Sequence, residues 1–293
     1  MLSFVLREER RMESRKDMSL LNCMATAMLA CFITVPGHEL LHLLTHMVYG
    51  SKLLWYSAGA VDAIVPDYSV LSPFHRIMVA GGSASILNTV FGIILLIILL
   101  KCKMGSLTRV FLTQLMGAQF VQGVGYFLIG GLFGAGDWGN VYAQLTEYPG
   151  LITFLRIGLS VAGSAGIVAL FFILNHMSYY FIEDKDDKWE RRYVAFRLHL
   201  LVIIIGFAVG MICTSLSPMT KTGELSIGLG FLYNMMWIPF FWGFMFTGFM
   251  VRPPKKGRFL YQLPRKGYYV LAVISMILVL AEIFVLGPGI KLG

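Results

Sequence analysis

Residues 19–47 read SLLNCMATAMLACFITVPGHELLHLLTHM, an apolar run that exceeds the roughly 20 residues a helix needs to cross a bilayer. Within this run His38 and His42 are four residues apart, so they lie on one face of a helix, about 6 Å apart along its axis. Glu39 stands between them. Ionisable side chains at membrane depth are costly unless they pair or bind something. The run therefore predicts both a membrane span and a functional site.

The whole chain has the composition of a membrane protein. It has 293 residues, of which 57% are hydrophobic and only 14% are charged, which excludes an ordinary soluble domain. We expect an all-α, polytopic (multi-pass) integral membrane protein with about seven transmembrane helices. The predicted spans are Ser19–Met47, Ile77–Leu100, Val110–Phe133, Gly150–Ile182, Phe196–Ser215, Ile227–Val251 and Tyr268–Leu286.

Lysine and arginine alternate between the loops that join these spans. They are concentrated in the N-terminal tail and in the loops after the second, fourth and sixth spans, and they are sparse elsewhere. The positive-inside rule then predicts a cytoplasmic N-terminus and an extracytoplasmic C-terminus. The net charge of +8 is expected to face the anionic headgroups of the lipid bilayer. Because the basic loops lack the aromatic pattern of a nucleic-acid module, no nucleic-acid partner is expected.

The chain divides into three predicted regions. Residues 1–18 form a cytoplasmic tail, residues 19–182 form the membrane core with spans 1–4 and the candidate site, and residues 183–293 form accessory spans 5–7. An extracytoplasmic segment is predicted at about residues 50–72. It has apolar stretches punctuated by Gly59 and Pro66, which suits two short strands forming a hairpin, or a re-entrant hairpin.

The pattern from His38 to His42 is typical of a zinc site. Two imidazoles one helical turn apart can bind the same Zn²⁺, and Glu39 can act as the general base for a bound water. His46 continues the series, but a straight helix places it about 12 Å from His38 along the axis, too far to share one ion. The third ligand must come from elsewhere in the chain.

Six acidic residues outside the basic cytoplasmic segments are candidates for that ligand: Asp62, Asp67, Asp137, Glu147, Glu224 and Glu282. The first and third spans both run outward, and Asp137 follows the third within the sequence GAGDWGN at 134–140. The glycines permit an unwound turn and a close backbone approach at this depth. We therefore predict Asp137 as the third ligand, with a helix N-cap as the alternative role.

Two asparagines are candidates for holding the substrate or stabilising an oxyanion. Asn140 is close to Asp137 in sequence, and Asn88 lies in the second span. Either side chain can donate a hydrogen bond to a developing oxyanion or to a substrate backbone. A hydrogen bond between helices is the competing interpretation for both residues.

Taken together, these motifs resemble the site-2 protease family of intramembrane zinc metalloproteases, and in particular its smaller bacterial branch. The resemblance covers about residues 20–150. It rests on the HExxH motif in an early span, a short following segment, the run AGGSAS at 80–85 and a later Gly-Asp pair. It implies that His38, His42 and Asp137 bind zinc and that Glu39 activates water. The chain has Gly-Asp-Trp-Gly-Asn where better-studied members have Asn-Pro-x-x-x-Leu-Asp-Gly.

The expected function is hydrolysis of peptide bonds in membrane-spanning substrates by metal-activated water. The substrate would be a membrane protein or a remnant signal peptide, and the resemblance implies a bacterial cytoplasmic membrane. An ion- or proton-coupled transporter and a zinc-binding membrane scaffold without turnover are the alternatives from other classes. A prenyl-protein-type metalloprotease with a glutamate as third ligand is the alternative enzyme.

Overall fold

The computed structural model describes residues 17–65, 67–184, 186–222, 230–231, 234–250 and 260–292. Most of these residues are helical, because a chain in hydrocarbon must pair its own backbone N–H and C=O groups. The helices are α1 (Ser19–Val48), α2 (Pro73–Lys101), α3 (Ser106–Phe133), α4 (Asp137–Ala143), α5 (Pro149–Ser178), α6 (Lys188–Leu216), α7 (Pro218–Thr222), α8 (Met235–Phe249) and α9 (Tyr269–Leu286).

Among the described residues, six helices are long and apolar enough to cross a membrane: α1, α2, α3, α5, α6 and α9. This confirms a mostly helical, multi-pass membrane architecture. The predicted sixth span, Ile227–Val251, falls partly outside the described residues, and its described part contains α8, an apolar helix that is shorter than the others. The count of seven spans and their orientation therefore stay predictions. Of the predicted tail, residues 1–16 lie outside the described residues.

Helix α3 lies at the centre of the fold. It packs against α1, α2 and α5, and most of it is buried, whereas only a small part of α5 and of α9 is buried. Two of its glutamines bond it to α1. Gln114 donates to the carbonyl oxygen of Cys23 at 3.3 Å, and Gln119 donates to the hydroxyl of Thr34 at 3.4 Å. Hydrogen bonds of this kind join neighbouring helices at membrane depth.

A small antiparallel sheet covers one end of α1. Strands β1 (Lys52–Ser57) and β2 (Ala60–Ile64) form a hairpin. They lie in the segment for which the sequence suited either a hairpin of two short strands or a re-entrant hairpin. A third strand, β3 (Ile290–Lys291), comes from the far end of the chain and pairs with β1. The Tyr56 hydroxyl donates to the carbonyl oxygen of Pro36 at 2.7 Å, and the Ala58 N–H donates to that of Leu286 at 3.0 Å. The sheet thus ties α1 to α9, and its contact on α1 is two residues before His38.

Candidate metal centre

The HExxH residues are buried in the C-terminal half of α1. His38, Glu39 and His42 are 1%, 7% and 8% exposed, although all three are polar. The helix continues without interruption through Val48, so its 3.6-residue period places both imidazoles on one face, as the spacing predicts. His46 is not part of the group, and its Nδ1 atom lies 3.2 Å from the Ser51 hydroxyl.

Asp137 meets both imidazoles. Its Oδ2 atom lies 3.0 Å from Nε2 of His38 and 3.2 Å from Nε2 of His42, and the two nitrogens are 3.3 Å apart. Ligand atoms about 2.0–2.1 Å from a tetrahedral zinc ion would be separated by about 3.3–3.4 Å. The three atoms therefore already have nearly the spacing of ligands around one ion, and the group can hold a metal ion.

Hydrogen bonding alone does not account for this triangle. Each of the two Nε2 atoms and the Oδ2 atom either carries a proton and donates, or carries none and accepts. Among three such atoms at least two must be of the same kind, and two donors or two acceptors repel each other. Without a cation, one of the three contacts among His38, His42 and Asp137 is therefore repulsive in any protonation state. A metal ion bound by three lone pairs removes the conflict, because every ligand atom then acts as an acceptor towards the cation. The donor set fits a metal ion.

A glycine turn brings Asp137 to the histidines. Helix α3 ends at Phe133, and Gly136 has φ +65° and ψ −151°, a backbone conformation that residues other than glycine rarely adopt. The chain reverses there, and α4 begins at Asp137. Gly136, not Asp137, holds the N-cap position, so the N-cap interpretation of Asp137 is wrong. As the first residue of α4, Asp137 keeps its carboxylate available for the histidines.

The glycine-rich run of α2 makes room for this turn. Around Met78–Gly82 the helix is locally widened, and Gly81 has φ +153°. A Cβ atom at Gly81 would lie 2.6 Å from the carbonyl oxygen of Asp137, so only glycine permits this approach. The next residue of α4, Trp138, is buried and donates through Nε1 to the Ser85 hydroxyl at 3.1 Å. These contacts fix α4 against α2.

Two further side chains hold the ring of His38. The side-chain amide nitrogen of Asn88 lies 2.6 Å from Nδ1, and the ring of Tyr126 stacks on the imidazole with centroids 4.6 Å apart. A metal on Nε2 leaves Nδ1 protonated, and the Asn88 amide, with its oxygen and nitrogen exchanged by a half-turn, can then accept a hydrogen bond from that N–H. Asn88 thus orients a ligand ring. An amide engaged in this way is not free to bind substrate, so the geometry favours the helix–helix role for Asn88.

A cavity of about 330 Å³ opens beside the three ligands, and both Glu39 and Asn140 line it. Asn140 is exposed on α4, so it keeps the position expected of a substrate-positioning residue. The opposite wall comes from β2 and from the region after residue 182, with Cys213 of α6 and Trp237 of α8 among the lining residues. The predicted accessory region therefore contributes to the candidate site.

The other acids considered from the sequence lie elsewhere. Asp62 is in β2, Asp67 caps a short turn, and Glu147 pairs at 3.5 Å with a buried arginine. Glu282 is buried in α9, and neither of its carboxylate oxygens has a hydrogen-bond partner among the described residues. Glu224 lies outside the described residues. Of the described acids, only Asp137 joins the histidines.

Gln122 is a cavity residue that the sequence did not identify as part of the site. Gln122 lines the cavity from α3, but in the sequence it reads only as an interruption of an apolar span. The available signal was the presence of three glutamines in that span, since two of them are accounted for by bonds to α1.

Comparisons with protein-family models, with curated proteins and with solved structures found no match to this chain.

Proposed function

We propose that this protein is an intramembrane zinc metalloprotease similar to the site-2 proteases. One observation carries the proposal: His38, His42 and Asp137 converge at ligand spacing beside Glu39, and all four line a cavity among apolar helices. A structural role for the histidines would need neither the third ligand nor the cavity. Histidine nitrogens with one carboxylate suit zinc and leave a coordination position open, as in catalytic zinc sites.

The residues divide the chemistry among them. Bound by His38, His42 and Asp137, zinc would supply the Lewis acidity that makes water reactive at neutral pH. The Glu39 carboxylate would accept a proton from the attacking water and then deliver it to the nitrogen of the leaving amine. Asn140, which lines the cavity, would donate a hydrogen bond to the carbonyl oxygen under attack.

The substrate must reach this cavity as an extended chain, because a helix keeps its carbonyl groups hydrogen-bonded. Residues Ala60 and Val61 of β2 line the cavity, and β2 is the outer strand in the order β2-β1-β3. An extended substrate segment can add to the free edge of such a strand. The proposed substrates are membrane-spanning segments or remnant signal peptides. The proposed orientation of the protease has its N-terminus in the cytoplasm.

The test compares bound zinc with cleavage in the wild type, Glu39→Gln and Asp137→Ala, all purified in detergent. Unfolded casein and a single-span peptide serve as substrates. We expect Glu39→Gln to keep its zinc and to lose about 10²- to 10⁴-fold in activity, because only the base is removed. Asp137→Ala should lose most of its zinc. Full activity in Glu39→Gln would refute the proposed protease function. A wild type that binds zinc but cleaves neither substrate would favour a zinc-binding scaffold without turnover.

A further inference from the structure

Gln122 occupies a level of α3 that two neighbouring contacts define. Three residues earlier, Gln119 donates to Thr34 of α1, and four residues later Tyr126 stacks on His38. The two helices therefore run in parallel there, and Gln122 lies between the level of Thr34 and that of the metal ligands. It lines the cavity from this position together with Glu39.

The amide of Gln122 differs from those of the other glutamines in α3. The residue is only 5% exposed, and its side chain makes no hydrogen bond to any other residue that the structure describes, whereas Gln114 and Gln119 both donate to α1. Its amide atoms reach the space of the cavity, because they are not among the fully enclosed polar atoms without a partner, which include Oε1 of Gln114 and of Gln119. A glutamine amide that has no protein partner and faces the cavity can bind a ligand that enters it.

We propose that Gln122 binds the backbone of the unwound substrate beside the bond to be cleaved. This inference rests on the protease function proposed above. An extended segment brings unpaired N–H and C=O groups into the cavity, and each of them needs a hydrogen-bond partner. A glutamine side chain carries both a donor and an acceptor in one plane. Gln122 can therefore pair with the N–H and the C=O of a peptide chain regardless of its side chains.

Gln119 provides a matched control on the same helix. It is the same residue type and is also buried, at 7% exposure, but it bonds to Thr34 and does not line the cavity. We compare Gln122→Met with Gln119→Met, because methionine keeps the length of the side chain and removes the amide. The probe is a fluorescein-labelled single-span peptide with a central Asn-Pro pair, which opens its helix. Its affinity is measured in the inactive Glu39→Gln background, and its cleavage in the active one.

We expect Gln122→Met to weaken peptide binding and to lower kcat/KM by about tenfold to hundredfold, with the zinc content unchanged. Most of the loss in kcat/KM should appear as a higher KM. Gln119→Met should bind and cleave the peptide like the wild type. Equal binding by both variants would overturn this inference while the protease function stands. A wild type that neither binds nor cleaves the peptide overturns both.

Discussion

Two buried histidines in this protein have opposite surroundings. His38 meets a carboxylate, a second imidazole and an asparagine at the edge of a cavity. His199 of α6 is fully buried between α5, α6 and α8, where its Nε2 lies 2.6 Å from the Ser178 hydroxyl. Its Nδ1 has no hydrogen-bond partner among the described residues, and it does not line the cavity. A buried histidine therefore suggests chemistry only where an acid and an opening accompany it.

The largest expected difference between the two histidines is in metal binding. His38→Ala removes one of three ligands, so we expect the protein to lose nearly all its bound zinc and all measurable cleavage. His199→Ala should keep zinc at the wild-type level and lose about 1–3 kcal/mol of stability, because the bond to Ser178 and the packing of the ring against Phe240 are both removed. Zinc per protein and the melting temperature are measured for both variants. Zinc loss in a folded His199→Ala variant would contradict the comparison.

A smaller effect is expected from the asparagine beside each histidine. Asn88→Leu removes the group that orients the His38 ring, which should weaken zinc affinity about 10- to 100-fold. The matched change is Asn175→Leu. Asn175 is linked to His199 through two hydroxyls: its Oδ1 accepts from Thr247 at 3.3 Å, and both Thr247 and His199 contact the Ser178 hydroxyl. This variant should bind zinc normally. Competition with a chelator measures both affinities, and equal values would show that Asn88 does not hold a ligand.

The smallest effect concerns a residue that only makes space. A methyl group at Gly81 would collide with the backbone of Asp137, so Gly81→Ala should displace the start of α4 and weaken zinc binding about tenfold or less. Gly158 of α5 has nothing within 4 Å of its Cβ position, and Gly158→Ala serves as the control. If zinc affinity is unchanged in Gly81→Ala, the turn tolerates more movement than the contact implies.

Parts of this site were predictable because they depend on local spacing. The interval from His38 to His42 is one helical turn, so the helix alone sets the two imidazoles together. Asp137 was reached less directly, from the direction of the first and third spans. Asn88 was identified, but its role stayed open between substrate positioning and a bond between helices. Gln122 and the wall from α6 and α8 were not identified, because their roles depend on which helix faces meet. A glutamine in an apolar span reads the same whether it bonds a neighbouring helix, as Gln119 does, or lines a cavity.

By itself the sequence determined a mostly helical membrane protein with two candidate ligands and a candidate base on one helix face. Those properties follow from apolar length and helical period, which need no knowledge of neighbours. Only the tertiary structure decided that Asp137, 99 residues from His38 in the chain, stands 3.0 Å from its Nε2 atom. That distance depends on the packing of α3 against α1 and α2 and on the space left by Gly81, and contacts between distant segments leave no period in the sequence.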